Sequence, residues 1–170
     1  MQLISENLNN QLNNLIGKSF SINRMLDRGM SLLGVRWKLI NSAKNLHPKV
    51  SHAYPSSKFA DGIQDYQASR EAETIYPATP IGNREYQNPL EFFIDFYKEN
   101  LEFENMIKDV IDMSIEEGDN NTKNYLDKLL DNLVPFTALS QTLIDLVTQY
   151  GNETFKLQLF DSVIEKYIEV

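Results

Sequence analysis

Residues 77–93 read Pro-Ala-Thr-Pro-Ile-Gly-Asn-Arg-Glu-Tyr-Gln-Asn-Pro-Leu-Glu-Phe-Phe, and they are the most informative segment for predicting the arrangement of the chain. Its first two prolines, Pro77 and Pro80, lack the backbone N–H that a helix interior requires, so they end the preceding helix. Pro89 has the opposite meaning, because proline is favoured in the first turn of a helix. The sequence therefore predicts a connection without hydrophobic periodicity over about residues 76–89, lying between two helices.

Hydrophobic residues on both sides of this connection recur at steps of three and four, the spacing of one helix face. The pattern predicts five helices, at about residues 5–42, 56–75, 89–117, 122–149 and 153–169. Residues 43–57 carry Pro48 and Pro55 and are predicted to connect the first two helices. Pro135 lies inside the fourth helix, where it predicts a kink or a restart.

The order of these elements predicts an all-α protein. Short loops join antiparallel neighbours, whereas a connection of about 14 residues can cross the length of a bundle. We therefore predict an antiparallel four-helix bundle with one long crossover and a fifth, C-terminal helix, all within one domain of residues 1–170. Three glycines in the first helix, Gly17, Gly29 and Gly34, either allow close helix contact or mark a break, and the sequence leaves both readings open.

Composition excludes several classes of function. The chain has 24 acidic and 16 basic residues and a net charge of −8, which argues against nucleic acid as a partner because phosphate binding relies on Lys and Arg. It contains no cysteine, so disulfides, thiolate zinc sites and iron–sulfur clusters are excluded. No apolar run approaches the length of a membrane span, and the N-terminus has no signal-peptide pattern, so we expect a cytoplasmic protein without membrane partners.

Several strings resemble those of non-haem bacterial ferritins. Residues 8–13 read Leu-Asn-Asn-Gln-Leu-Asn, similar to the opening of the first helix in that family, and residues 77–93 are similar to its crossover. Residues 96–119 match the third helix and its turn without a gap, and Asn-Tyr-Leu at 124–126 falls on the start of the fourth. The starvation-induced mini-ferritins are a close alternative, because Arg36-Trp37 resembles their His-Trp. The resemblance implies a ferritin-like fold.

The resemblance also implies a site that oxidises Fe(II) inside the bundle, but the ligands it requires are substituted. Iron prefers carboxylate oxygens completed by histidine, and ferritins supply a Glu-x-x-His pair on the second helix. This chain has no such pair, and its two histidines, His47 and His52, lie in the predicted connection. By the resemblance, Leu15 and Asn100 stand at glutamate positions, and Asp127 stands at a glutamine position. A classical ferroxidase centre is therefore not expected.

Two interpretations of the remaining inward-facing polar residues stay open. The first is a rearranged metal site formed by Glu73, Glu104 and Asp127, with Asp65 as an additional ligand. The second is an ion pair in which Arg70 replaces the metal by pairing with Glu73 or Glu104, since a buried carboxylate without a cation is costly.

The function that the resemblance implies is a homo-oligomeric ferritin-like protein that binds or stores iron, with weak or absent ferroxidase activity. Whether it is an enzyme is left open, no catalytic residue is assigned, and iron is the only cofactor implied. The alternative is a non-catalytic ferritin-like bundle with a structural or partner-binding role.

Overall fold

The computed structural model describes residues 2–170, and the described chain is helical without any β-strand. Its helices are α1 (Glu6–Ser31), α2 (Ile40–Lys49), α3 (Ala60–Ser69), α4 (Pro89–Glu116), α5 (Asn120–Tyr150) and α6 (Thr154–Val163). A π-helical turn (Leu32–Arg36) extends α1, and 3-10 turns (Ser51–Ala53 and Ile164–Tyr167) follow α2 and α6. The predicted all-α bundle with a long crossover and a C-terminal helix is confirmed.

The first bundle helix ends earlier than predicted. We expected it to continue to residue 42, but α1 and its π-helical turn end at Arg36, and α2 begins at Ile40. The chain reverses at Lys38, whose φ of 58° lies in the left-handed region. Gly34 lies in the π-helical turn four residues before this reversal, whereas the hydrophobic pattern itself runs through the turn without interruption.

The predicted connection at residues 43–57 is wrong. This segment belongs to the second helix of the bundle, which consists of α2, the 3-10 turn at Ser51–Ala53 and α3. Pro48 lies in the last turn of α2 and is exposed, and Pro55 falls in the irregular stretch that precedes α3. Since both prolines interrupt backbone hydrogen bonding, the second bundle helix is broken rather than absent.

The crossover begins earlier than predicted, because α3 ends at Ser69 instead of residue 75. Glu71 has a φ of 54°, the left-handed conformation that often terminates a helix. An amide network then holds the crossover against α1: Gln67 Nε2 donates to Asn9 Oδ1 (2.9 Å) and to Asn13 Oδ1 (2.8 Å). Asn9 Nδ2 donates to the Glu73 carbonyl at 2.8 Å, and the Ile75 amide donates to Asn13 Oδ1 at 3.1 Å.

Ion pairs hold the other end of the crossover against α4. Arg84 Nη1 lies 2.7 Å from an Asp95 oxygen and 3.1 Å from a Glu99 oxygen. Glu99 also forms an ion pair with Lys18 of α1, with Lys18 Nζ 2.6 Å from Glu99 Oε2, and both of these side chains are largely buried. Because Lys18 lies on α1 and Arg84 on the crossover, Glu99 joins three elements at one point.

The second half of the bundle follows the prediction closely. The Asn88 side chain caps the N-terminus of α4 by accepting the Glu91 amide at 3.0 Å, and Pro89 occupies the first turn. α5 runs without a break through Pro135, so the predicted restart is wrong. Pro135 lies on the exposed face of α5, where the carbonyl that it leaves without an amide partner can bind water.

One continuous hydrophobic core fills the space between these helices. Aromatic side chains dominate its centre, and α6 closes one end by packing against α5 and α2. None of the helices within residues 2–170 is long and apolar enough to cross a membrane.

Candidate functional site

The middle of the bundle contains a small group of buried polar side chains. Ser19 comes from the centre of α1, Asn100 comes from the centre of α4, and Tyr54 comes from the broken second helix. Tyr54 Oη donates a hydrogen bond to Asn100 Oδ1, and Ser19 Oγ donates to the Tyr54 carbonyl. Each of these three residues is fully buried and uncharged.

Aromatic rings surround this group. The Tyr54 ring stacks on Phe59 with centroids 5.0 Å apart, and it meets Phe96 and Phe136 edge-on at 6.4 and 5.6 Å. Burial raises the pKa of Tyr54 well above its usual value, and the hydrogen bond to Asn100 offsets only part of that effect. The phenol is therefore a neutral hydrogen-bond donor at physiological pH.

These residues do not fit a pair of iron ions. The two positions that the resemblance assigns to glutamates, Leu15 and Asn100, are both fully buried, and neither carries a charge. Iron in a bundle of this kind requires carboxylate and imidazole ligands, which neutralise its charge in a low-dielectric interior. Among residues 2–170, no group of three or more His, Asp or Glu side chains is arranged, as placed, to hold a metal ion.

The three predicted metal ligands lie on different elements. Glu73 is exposed on the crossover, and its carbonyl, not its carboxylate, takes part in the amide network. Glu104 of α4 accepts a hydrogen bond from Thr137 Oγ1 at 2.9 Å, and Asp127 of α5 pairs with Lys123 at 2.7 Å. They do not form a three-ligand group in this structure, and metal binding by any one of them stays a prediction.

Arg70 does not replace a metal in the bundle interior. Its Nη2 donates to the Leu3 carbonyl at 3.1 Å, at the end of the bundle where the N-terminal segment crosses α3. Its Nε is buried and has no hydrogen-bond partner among the described residues. The expected pairing of Arg70 with Glu73 or Glu104 is wrong, because no ion pair joins Arg70 to either carboxylate among residues 2–170, and Glu104 accepts a hydrogen bond from Thr137. Asp65 is exposed on α3.

Ser19 and Tyr54 are not among the residues that the sequence predicts for the site. Pro48 and Pro55 flank Tyr54 and predict a connection there, although Tyr54 is one of the largest fully buried side chains. A signal is present in the sequence, since Tyr54 is a large aromatic residue inside the predicted connection of residues 43–57, and aromatic side chains bury a large area when they join a core. Ser19 gives no sequence signal, because a serine on a helix is usually exposed.

The buried Tyr54–Asn100 pair predicts a strong non-additive effect on stability. Tyr54→Phe leaves the Asn100 amide without its partner and is expected to lower the free energy of unfolding by about 1–2 kcal/mol. The double variant Tyr54→Phe/Asn100→Leu removes both polar groups and is expected to be close to wild type, because Asn100 Nδ2 already lacks a partner. Urea unfolding of the wild type, both single variants and the double variant measures the coupling. Additive losses would contradict this account.

Several solved structures that resemble this bundle over nearly its full length are ferritins. A novel open-pore ferritin from the hyperthermophilic archaeon Archaeoglobus fulgidus matches 98% of this chain over 99% of its own length, with a TM-score of 0.85 and 18% identity. A humanized archaeal ferritin matches 95% of this chain over 96% of its own, with a TM-score of 0.83 and 18% identity. A closed form of the A. fulgidus ferritin, engineered by mutagenesis, gives a TM-score of 0.82 at 19% identity, over 95% and 96% of the two chains.

The protein therefore has a ferritin-like fold. The helices of these ferritins and of this chain correspond over nearly the full length, which confirms the fold that the crossover sequence implied. No protein-family model matches the sequence, and no curated protein matches it. At 18–19% identity the likeness is one of fold, so the interior residues described above have to be interpreted on their own chemistry.

Proposed function

We propose that this protein is a self-associating ferritin-like subunit that binds iron as cargo without oxidising it at a paired-iron centre. The observation that carries this proposal is the uncharged bundle centre, where Ser19, Tyr54 and Asn100 are enclosed by aromatic rings. A bundle centre lined by uncharged residues such as these cannot compensate the charge of two iron ions. The similarity of the fold to ferritins supports iron as the cargo.

The surface of α4 supports cation binding outside the bundle. Asp109, Asp112 and Glu116 are exposed and follow one another at steps of three and four, so they share one face of the helix. Together with the net charge of −8, this face favours the accumulation of cations. In this proposal Glu73, Glu104 and Asp127 contribute as separate carboxylates and not as one site.

Exposed apolar residues support self-association. Large hydrophobic side chains remain exposed on the crossover, among them Ile75, Tyr76 and Ile81, and on the C-terminal helix, where Phe155 is 74% exposed. Contiguous apolar surface on a soluble protein commonly marks an interface. Sedimentation of the purified protein is expected to show an assembly larger than one chain.

Iron assays test the proposal directly. Aerobic addition of Fe(II) is expected to give oxidation no faster than in protein-free buffer, and the protein is expected to retain more iron after desalting than an acidic control protein of unrelated fold. The triple variant Asp109→Asn/Asp112→Asn/Glu116→Gln is expected to retain less iron than wild type. The matched control, Glu153→Gln/Glu165→Gln/Glu169→Gln, makes the same change of charge at the C-terminal end and is expected to retain nearly as much.

Two outcomes would overturn the proposal. Rapid oxidation that saturates at two Fe(II) per chain would show that the interior holds iron after all. Iron retention no greater than that of the control protein would favour the second candidate, a structural or partner-binding bundle. The observation that favours this second candidate is that no group of three or more His, Asp or Glu side chains among residues 2–170 is arranged to hold a metal ion.

A further inference from the structure

The two histidines of the chain meet on the outside of the bundle. His47 lies in the last turn of α2, and His52 lies in the 3-10 turn that follows it, so the break in the second bundle helix determines their relative position. Their imidazole rings are in edge-to-face contact, with centroids 4.2 Å apart and an interplanar angle of 62°. Both residues are exposed.

Asp27 of α1 lies beside His47. Its Oδ1 lies 3.6 Å from His47 Nε2, which is too long for a hydrogen bond. The separation is close to that of two ligands on one metal ion, because atoms bound at about 2.1 Å with tetrahedral angles lie about 3.4 Å apart. The geometry of Asp27 and His47 therefore matches one edge of a coordination tetrahedron.

The Asp27 carboxylate is positioned by buried residues behind it. Ser51 Oγ donates to Asp27 Oδ1, and Ser51 is fully buried. Asn23 Nδ2 in turn donates to the Ser51 carbonyl at 3.0 Å. Metal-binding carboxylates are commonly oriented by hydrogen bonds of this kind from a second layer of residues. Here that layer joins α1 to the break in the second bundle helix.

We propose that Asp27, His47 and His52 form a binding site for one divalent transition-metal ion of the Zn²⁺ type. Two imidazoles and a carboxylate are ligands that suit Zn²⁺, Co²⁺, Ni²⁺ and Fe²⁺, and not Mg²⁺ or Ca²⁺. The three side chains do not converge on one point in this structure, so a rotation of the exposed His52 side chain toward Asp27 and His47 is part of the proposal. Solvent access leaves the remaining coordination positions to water. This site lies outside the bundle interior and does not depend on the proposed function.

The composition of the chain makes the site easy to test. His47 and His52 are the only histidines, and there is no cysteine, so imidazole or thiolate ligation cannot arise elsewhere. Tag-free protein is titrated with Co²⁺, and binding is followed by the visible absorption of the ion and by isothermal titration calorimetry. We expect one Co²⁺ per chain, displacement by Zn²⁺, and no displacement by Mg²⁺. Anaerobic Fe²⁺ added in competition tests whether iron uses the same ligands.

Proton NMR provides an independent readout, because only two histidine ring C2–H signals exist. Both are expected to broaden or shift with the first equivalent of Co²⁺. His47→Gln, His52→Gln and Asp27→Asn are each expected to weaken Co²⁺ binding by at least about 10-fold, the lower end of the loss caused by removing even a second-layer partner. Asp131→Asn, which removes an exposed carboxylate from α5, serves as the matched control and is expected to leave the affinity unchanged.

The three side chains are substantially exposed, so the variants are expected to fold, and far-UV circular dichroism checks this. Undiminished Co²⁺ affinity in the His47→Gln/His52→Gln double variant would overturn the proposal. Failure of the wild type to bind Co²⁺ or Zn²⁺ would do the same. Selective loss in the three ligand variants, with retention in the control, establishes the site whether or not the protein takes up iron.

Discussion

Replacing Asp161 by alanine is expected to lower the free energy of unfolding by about 3 kcal/mol, and the unfolding temperature by about 6–12 °C. Asp161 lies on α6 and is only 6% exposed. Its Oδ1 accepts the Ser42 amide at 2.7 Å and the Ser42 hydroxyl at 2.6 Å, and its Oδ2 accepts the Asn41 amide at 3.2 Å. The carboxylate thus caps the N-terminus of α2 from a distant part of the sequence.

The expected loss of stability is large because no residue close to α2 in the sequence can cap this helix in place of Asp161. The N-cap position of α2 is Leu39, which makes no side-chain capping bond, so the free amides of the first turn depend on Asp161. The negative charge also interacts favourably with the positive end of the helix dipole. Removing the carboxylate leaves the Ser42 amide and hydroxyl buried without partners, and α6 loses its polar attachment to α2.

Two variants serve as controls for this prediction. Asp161→Asn keeps an oxygen for both Ser42 bonds but loses the charge and the second oxygen, so it is expected to cost about 1 kcal/mol. Glu165→Ala, on the exposed side of the following 3-10 turn, is expected to change stability by less than about 0.5 kcal/mol. Urea unfolding at one protein concentration measures all three. A loss for Asp161→Ala no larger than that for Glu165→Ala would show that α6 does not hold α2.

Gly29→Ala is expected to lower the free energy of unfolding by about 2–3 kcal/mol, although alanine is the better helix former. A Cβ atom at Gly29 would lie 2.0 Å from Cζ and 2.1 Å from Cε1 of Phe92. Phe92 of α4 is fully buried, and its ring packs against Tyr86 and Phe93. The ring therefore cannot retreat without displacing its neighbours, and α1 and α4 have to separate.

Gly34→Ala provides the matched control for Gly29→Ala. A Cβ atom at Gly34 meets only the Ala43 Cβ, at an ordinary contact distance of 3.7 Å. This variant is expected to be as stable as wild type, or more stable by up to about 1 kcal/mol. The double variant Gly29→Ala/Phe92→Leu shortens the opposing side chain and is expected to lose less than the sum of the two single variants. Equal stabilities for Gly29→Ala and Gly34→Ala would contradict a close α1–α4 contact at this position.

The helical class, the crossover and the C-terminal helix could be predicted from the sequence. They depend on local chemistry, since Pro77 and Pro80 disfavour a helix interior and Pro89 favours a first turn, although α3 itself ends earlier, at Ser69. Local signals also predict the start of α4 and the turn at Gly118, whose φ is 71°. Asn100 stands at a glutamate position only by the resemblance to ferritins, and in the structure its side chain accepts the Tyr54 hydroxyl.

The remaining features could not be predicted from the sequence, because each depends on groups that are distant along the chain. Lys38 adopts a left-handed conformation that no local signal specifies, and α2 is capped by Asp161 from 119 residues away. Gly29 is required because Phe92 packs on it, a contact that helix spacing cannot reveal. Tyr54 is buried although the second bundle helix is broken at this point, because Phe96 of α4 and Phe136 of α5 pack against its ring. Helix periodicity describes which residues turn inward, whereas the partners that they meet are set by packing between elements.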